Sequence, residues 1–471
     1  MGRSVICEEK LLGDLIKLSK TNGFTSGLIL GQSSGAKDFV VHLARTPLQL
    51  TIEPDAKDNS SLKETPKTWN NVTDIEEKEL VEHAKQVTWM LPGGMWVLGI
   101  FTIGPGDLFN EALAPSKLKS VLTKLTKCLS VDNYKYGNSP STEKLAFHLN
   151  SDSKKYSCRC LDLSQPQASQ TFRPVDWKFQ SNCTKWLQVD CHYDFEQLSP
   201  HLITDSNSTP MVKKLLKEIL DQSSIMISKA VCTIDGEIRN GTDSLEVTDK
   251  KKKGKTSGNK STKEEKTFEV NLYFQNEEVP NISDSLQVVD TTGELRCVGS
   301  LSCRVYLHQK ASVEEAVKAI KEDIIRSLSS RLEMHWDSLV EDEVESPDEL
   351  VVLHEPPRRV LIPLPYCKVA FSDYLFPGED ASETLDSLQL LLGLKLNESS
   401  LLKDFEGQSD PNQYYELNRH SSSYERNKPR ILKDSQVNSQ LIITGMIIAA
   451  LILFTSVLIQ LTGWPLSIFR S

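Results

Sequence analysis

The sequence predicts a mixed α/β (α+β) protein of two modules followed by one carboxy-terminal transmembrane helix. Three observations lead to this fold class. Short apolar stretches typical of strands alternate with stretches of helical period. A lysine-rich run and an acidic run interrupt the chain. A long uncharged run stands near its end. The expected divisions are an amino-terminal module at 1–165, a second α/β module at 166–396 with a lysine-rich insertion at 249–266, a polar tether at 397–440, and a transmembrane helix at 441–461.

The run from Leu441 to Leu461 contains 21 residues and no charge. As a helix it would be roughly 31 Å long, which matches the hydrocarbon core of a bilayer. Gly445 and Ala449 form a small-residue pair of the kind found where membrane helices pack. Basic residues are concentrated before the run, which predicts that the bulk of the chain faces the cytosol: Arg419, Arg426, Lys428, Arg430 and Lys433.

Composition narrows the function classes. The chain has 471 residues and a formal net charge of −10, which argues against a general nucleic-acid binder. Its ten cysteines would suggest disulfides in a secreted protein, but the expected cytosolic orientation favours free thiols.

The amino-terminal module begins with a short amphipathic helix at 8–20 and a hairpin formed by strands at 24–31 and 39–44. The hairpin turn contains Gly-Gln-Ser-Ser-Gly, formally the G-x-S-x-G pattern of hydrolases. That motif requires a helix directly after the strand, whereas a second strand follows here. Ser33 is therefore interpreted as a turn residue.

A helix at 74–91 comes next and ends at Pro92-Gly93-Gly94. The following run, MWVLGIFTIG, has no polar alternation, which predicts a strand buried on both faces. A helix at 115–129 and strands at 143–149 and 155–163 complete the module.

Several cysteines raise the possibility of a zinc site. Cys158 and Cys160 are followed at a distance by Cys183, Cys191 and His192. However, C-x-C differs from the usual zinc knuckle spacing, and alternation in YSCRCLDL predicts a strand with both thiols on one face. We therefore expect no metal site here.

The second module contains a helix at 212–220, a strand at 224–238 and another strand at 267–274. Eight lysines lie between 250 and 266, typical of a solvated insertion. The clearest soluble helix starts at a Ser312–Glu315 capping box and keeps one apolar face to Leu332.

Two stretches resemble the MPN domain, the fold of metalloproteases that cleave ubiquitin-like modifiers: TSGLILG at 25–31 and GIFTIGPG at 99–106. The second matches the family's G-x-x-H-x-H-P-G at Gly99, Pro105 and Gly106. None of the family's ligands or its acid/base glutamate is present, and the corresponding positions carry Phe24, Thr102, Gly104, Ala112 and Pro115. The resemblance implies a catalytically dead domain. An ordinary Gly-Pro-Gly turn after an apolar strand remains the alternative.

Over nearly the full chain, the strings RRVLIPLP, SDYLFPGED and GLILGQSSG, with the lysine-rich insertion and the terminal run, resemble the odorant-response-abnormal protein four family. The resemblance implies a location in the endoplasmic-reticulum membrane. It also implies partnership with the ubiquitin-fold-modifier-specific cysteine protease and assistance to seven-helix receptors.

These inferences predict a non-catalytic, tail-anchored adaptor that recruits this protease to the lipid bilayer, without a cofactor. The expected partner surface is strand 96–103, with Trp96, Phe101 and Ile103 as candidate contacts. The alternative is a trafficking factor that acts on seven-helix receptors through its membrane span. A hydrolase with an unrecognised site is the third possibility, and no residue constellation supports it.

Overall fold

The computed structural model describes residues 2–407 except 21–22, 36, 49, 56–57, 67, 167–168, 182–183, 203–210, 247–265, 276–290 and 342–352. The described residues fall within one compact unit, 1–409. The strands are β1 (Ser4–Glu8), β2 (Thr25–Ser34), β3 (Lys37–Arg45), β4 (Leu50–Asp55), β5 (Asp58–Pro66), β6 (Trp96–Gly104), β7 (Glu143–Asn150), β8 (Tyr156–Asp162), β9 (Arg173–Pro174), β10 (Asp176–Gln180), β11 (Trp186–Leu202), β12 (Val231–Ile234), β13 (Thr267–Tyr273), β14 (Thr291–His308), β15 (Leu353–His354), β16 (Arg358–Pro363) and β17 (Ala370–Leu375). The α-helices are α1 (Glu9–Leu18), α2 (Glu77–Met90), α3 (Ala114–Leu129), α4 (Asn133–Tyr136), α5 (Met211–Lys229), α6 (Val313–Glu341) and α7 (Ser382–Leu392).

The first sheet has eight strands in the order β10-β1-β3-β2-β6-β7-β8-β9. Its two edge strands, β9 and β10, are separated in sequence by Val175 alone. Strand β9 pairs with β8 at one end of the strand order, and β10 pairs with β1 at the other end. The Val175 amide donates to the Cys158 carbonyl at 3.0 Å, and the Asp176 amide donates to the Arg3 carbonyl at 3.1 Å. The sheet therefore curls into a barrel.

Strand β6 lies in the middle of the strand order of this barrel, and every residue in it is buried. One face contributes Leu98, Phe101 and Ile103 to the barrel interior. The other contributes Val97 and Ile100 to a second core, where α2 and α3 pack. This confirms the predicted burial of the strand on both faces. The predicted β2–β3 hairpin is also present, with Ser33 paired to Asp38 near its turn.

The second sheet has the order β12-β13-β11-β14-β15, with α5 and α6 packed on its apolar face. The expected capping box starts α6, since the Ser312 amide donates to Glu315 Oε2 at 2.8 Å and the Glu315 amide to Ser312 Oγ at 3.2 Å. The prediction of a strand at 224–238 was wrong over its first half, because α5 continues to Lys229. Its buried residues recur every fourth position through that region: Leu215, Ile219, Ser223 and Ile227.

Residues 358–407, here called the carboxy-terminal strap, fold back over both modules. The β16–β17 hairpin and α7 add their apolar side chains to the core of the amino-terminal module. The beginning of the expected polar tether also packs against the body, because Glu406 is buried at 1% exposure. Its carboxylate accepts hydrogen bonds from the Ser302 amide at 2.7 Å and Arg331 Nη2 at 2.6 Å.

A buried ion pair joins the strap to the second module. Arg359 of β16 donates to Asp323 of α6 through Nη1 at 2.6 Å and Nη2 at 3.1 Å. Both side chains are almost completely excluded from solvent. Arg326, one turn further along α6, lies 3.7 Å from the same carboxylate and donates to the Leu91 carbonyl at 2.8 Å. The Arg359 guanidinium helps to hold the pKa of Asp323 below its ordinary value, against the opposing effect of burial.

Two buried histidines hold the carboxyl end of α7 against the amino-terminal module. His42 Nε2 donates to the Leu392 carbonyl at 2.8 Å, and His83 Nε2 donates to the Leu391 carbonyl at 2.7 Å. Their Nδ1 atoms accept from the hydroxyls of Tyr366 and Thr46. Protonation would remove those acceptors, and burial lowers the pKa of both histidines to about 4.

In the described part of the chain, no helix combines the length and the apolar character needed to cross a membrane. The longest helix, α6, has 29 residues but carries charged side chains along its whole length. Over the described residues, this finding corrects the predicted fold class to a mixed α/β fold without a transmembrane helix. It also overturns the predicted single-pass location in the endoplasmic-reticulum membrane. The proposed span, Leu441 to Leu461 with Gly445 and Ala449, lies outside the described residues.

Replacing Asp323 with asparagine is expected to lower the free energy of unfolding by about 3 kcal/mol, because the buried Arg359 guanidinium loses its counter-charge. Urea unfolding of the full chain, followed by tryptophan fluorescence, measures this change. Asp14→Asn is the matched control, since Asp14 pairs with Lys17 on the surface and its loss should leave the midpoint unchanged. Equal shifts in the two variants would contradict the assigned role of Asp323.

The free energy of unfolding is expected to fall as pH decreases from about 6.5 to about 4. In this range His42 and His83 take up protons in the unfolded chain but stay neutral in the folded one. Glutamine can still donate to the carbonyls of α7 but does not titrate, so His42→Gln with His83→Gln should flatten the dependence. His192→Gln, an exposed site, is the control. An unchanged slope in the double variant would exclude this explanation.

Candidate functional site

Two of the positions matched to metal-site residues of the MPN fold are in direct contact. The Phe24 ring packs on Gly104, and a Cβ atom at residue 104 would lie 2.4 Å from Phe24 Cδ2. The Phe24 amide donates to the Trp69 carbonyl at 2.8 Å, which fixes the backbone that carries the ring. The space beside Gly104 is therefore filled by an aromatic side chain.

Thr102 is buried on β6 beside His148 of β7. Its hydroxyl lies 3.0 Å from His148 Nδ1 and 3.1 Å from the Phe147 carbonyl. His148 Nε2 donates to the Gly106 carbonyl at 3.2 Å, so both ring nitrogens are occupied. Burial lowers the pKa of His148, with the bond to Gly106 opposing the shift. His148 thus holds the turn after β6, a role that sequence reasoning missed because no motif marks it.

The remaining positions are placed apart from any ligand group. Ala112 is exposed in the loop before α3, and Pro115 lies in the first turn of that helix. Within the described ranges, no group of three or more His, Cys, Asp or Glu side chains is placed to hold a metal ion.

The cysteines considered for zinc are distributed between the two modules. Cys158 and Cys160 both face the barrel interior, as their alternation on a strand predicted. Burial raises the pKa of both thiols. Cys191 lies in the core of the second module, and Cys183 is outside the described residues.

The expected partner surface on β6 requires correction. Phe101 is fully buried, Ile103 is 2% exposed and Trp96 is 6% exposed. All three side chains belong to the barrel interior, because β6 is a central strand covered on both faces. These three side chains are therefore out of reach of a partner while the barrel is folded.

The exposed apolar side chains point to such a surface at the edge of the second sheet. Among the described residues, twelve large apolar side chains are exposed, and half of them are concentrated at the end of α5 and along β12 and β13. We call these six residues the edge patch: Ile225 (53% exposed), Met226 (41%), Val231 (42%), Ile238 (79%), Tyr273 (55%) and Phe274 (37%). Concentrated exposed apolar residues typically mark interaction sites.

Local structure holds the edge patch in place. Val231 and Tyr273 are directly paired across β12 and β13, so their side chains are neighbours on one face. Lys321 of α6 donates to the carbonyls of Ser228 and Ala230 at 2.9 and 2.7 Å, which fixes the passage from α5 into β12.

The turn after β12 is equally well anchored. Asp235 has a φ of 52°, a left-handed conformation that aspartate tolerates. Its amide donates to the Glu269 carbonyl at 2.8 Å, and its Oδ1 accepts from the Glu269 amide at 3.0 Å. This turn presents Ile238 to solvent. The sequence signalled the turn through Asp235-Gly236, but it did not show that α5 and β13 would lie beside it.

Strand β12 is the edge of its sheet. It pairs with β13 on one side, and no strand in the described part of the chain pairs with the other. The backbone groups of Ile234 bond to Glu237 in the turn, and an extended partner segment can add to the remaining outward backbone groups of such an edge strand. The arrangement is suited to protein binding.

Comparisons with known proteins identify relatives over most of the chain. The profile of the ODR4-like family, described as Odorant response abnormal 4-like, matches residues 27–402. The mouse protein odr-4 homolog is 30% identical over 397 residues, covering 83% of this chain and 83% of that protein. The human protein odr-4 homolog is 30% identical over 398 residues, with the same coverage of each chain. A crystal structure of UfSP from C. elegans aligns with a TM-score of 0.39 and 9% identity over 85% of this chain and 59% of that chain.

Gly104→Ala is expected to lower the free energy of unfolding by about 1–3 kcal/mol, because the added methyl group collides with the Phe24 ring. Phe24→Leu removes the colliding ring atoms, so in the double variant the loss should be smaller than the sum of the two single losses. A double-mutant cycle by urea unfolding measures the coupling. Strict additivity would contradict the described contact.

Proposed function

The chain belongs to the ODR4-like family, and from this premise we propose that it is a non-catalytic adaptor that binds the ubiquitin-fold-modifier-specific cysteine protease through its edge patch. The observation that carries the proposal is the concentration of six exposed apolar residues at the end of α5 and on or next to β12 and β13, where β12 is the edge of its sheet. The choice of this protease as the partner rests on the family that the sequence resembles. The choice of the edge patch as the contact surface rests on the structure.

The edge patch has the composition of a binding surface. Tyr273 and Phe274 are rigid aromatic side chains of the type that dominates binding energy at protein interfaces. Tyr273 lies directly opposite Val231 across β12 and β13, so a partner segment can bury side chains and form strand hydrogen bonds together. The contact between Phe274 and Tyr193, with ring centroids 5.6 Å apart, fixes the position of the Phe274 ring in the unbound protein.

We expect the charge of the sequence between β12 and β13 to contribute to the choice of partner. The sequence that connects β12 to β13 contains the lysine-rich insertion, with eight lysines between 250 and 266. We expect the partner to carry acidic residues next to its apolar contact, because complementary charge accelerates encounter and disfavours basic competitors.

The non-catalytic part of the proposal is supported by the region around β6. Gly104 is covered by Phe24, and both nitrogens of His148 are engaged in structural hydrogen bonds. Catalysis by a histidine base requires a free nitrogen within reach of a substrate. In our interpretation, this part of the molecule maintains the fold that presents the edge patch.

Mixing the full chain with the purified protease is expected to produce a stoichiometric complex in size-exclusion chromatography with light scattering. Tyr273→Asp combined with Ile238→Asp should weaken the affinity at least tenfold, because a partner would have to bury two new carboxylates. Isothermal titration calorimetry measures the dissociation constants.

Leu113→Asp combined with Leu390→Asp is the matched control. These leucines are 69% and 61% exposed but lie outside the edge patch, so affinity should be unchanged. Separate elution of the two wild-type proteins would reject the adaptor proposal. Full affinity in the edge variant would reject the edge patch as the contact surface while leaving the complex itself established.

A further inference from the structure

A cavity of about 240 Å³ lies in the amino-terminal module between β6, α3 and the loop that leads into β7. Trp96, Val97, Leu129 and Leu163 contribute apolar walls, and hydroxyl side chains contribute much of the remaining lining. The residues that line the cavity all lie within 88–163 and belong to the amino-terminal module, whereas the edge patch belongs to the second module. Its size suits a small ligand.

Lys144 of β7 lines this cavity with only 4% of its surface exposed. Its Nζ donates to the Val97 carbonyl at 2.9 Å. It forms no salt bridge with any residue that the structure describes. The carboxylate of Asp38 acts on it electrostatically, but both oxygens of Asp38 accept from Arg3, at 2.6 and 2.7 Å. Lys144 therefore places a buried positive charge in the cavity lining, without an ion-pair partner among the described residues.

A second polar group in the same lining is also unused. The Thr126 hydroxyl of α3 is buried and has no hydrogen-bond partner in the described part of the chain. Buried polar groups are rarely left unsatisfied in native proteins, since an unmade bond costs free energy. The two groups are complementary to one chemical class, because a carboxylate accepts hydrogen bonds from both an ammonium and a hydroxyl.

We propose that this cavity binds a small carboxylate ligand with a compact apolar body, with Lys144 as the counter-charge and the Thr126 hydroxyl as a second donor. The apolar part packs against Trp96, Leu129 and Leu163. Binding would supply the missing anion to a buried ammonium, which is costly to maintain alone. Burial lowers the pKa of Lys144 to about 8. This direction agrees with an ammonium group whose charge is not fully balanced by a nearby carboxylate.

The proposal does not depend on the adaptor function, because the cavity and the edge patch share no residue. Benzoate is a suitable probe, since its ring fits the apolar walls and its carboxylate is ionised at neutral pH. Benzamide has nearly the same shape but no charge. Titration of the full chain with each compound at pH 7 by calorimetry or ligand-observed NMR compares the two without any substitution.

We expect benzoate to bind with a dissociation constant in the millimolar range, and benzamide about tenfold more weakly. Lys144→Met, which removes the charge and shortens the unbranched side chain by one atom, should reduce benzoate affinity about tenfold or more. Thr126→Val should reduce it by a smaller factor. Lys127→Met is the control, because Lys127 is an exposed lysine next to Thr126 in α3, and affinity should be unchanged.

Equal binding of benzoate and benzamide to the wild-type chain would overturn the proposal, as would the absence of benzoate binding up to about 10 mM. Unchanged benzoate affinity in a folded Lys144→Met protein would also overturn it. If that variant does not fold, the wild-type comparison of the two probes decides the question.

Discussion

The buried pair of Arg359 and Asp323 is the contact on which the arrangement of the modules depends. It lies where β16 crosses α6, in a region from which water is excluded. A charge in such a place must be balanced, so the strap can settle only where its arginine meets the aspartate. Arg326 extends the same cluster to the Leu91 carbonyl of the amino-terminal module. One carboxylate on α6 thereby links the strap and both modules.

The strap also packs against one strand of the second sheet. Phe405 packs under the Arg304 guanidinium of β14, 4.9 Å from its ring centroid, and Glu406 accepts from the Ser302 amide of the same strand. These contacts cover the β14 side of the second sheet. Strand β12 stands at the other end of the strand order, and no strand in the described ranges pairs with its outer side.

Local elements of this protein could be predicted well wherever their residues carry a periodic or capping signal. Strand β6 has an unbroken apolar run and α6 has a capping box and one apolar face, and both occur as expected. The second half of α5 was missed because Ser223 interrupts its apolar stripe and Ile225 and Met226 lie on the exposed side. The candidate contacts on β6 were misplaced because apolar residues that form a core and those that bind a partner are identical in composition.

The sequence by itself determined the family of this protein, its mixed α/β class and the positions of most helices and of some of the strands, because these depend on local patterns and on strings of adjacent residues. The tertiary structure alone decided that residues 173–180 close the barrel, that Arg359 meets Asp323, and that Lys144 is buried without an ion-pair partner in the described chain. It also decided which apolar residues remain exposed at β12. The physical reason is that burial and charge pairing are set by contacts between residues far apart in the chain, to which local periodicity is insensitive.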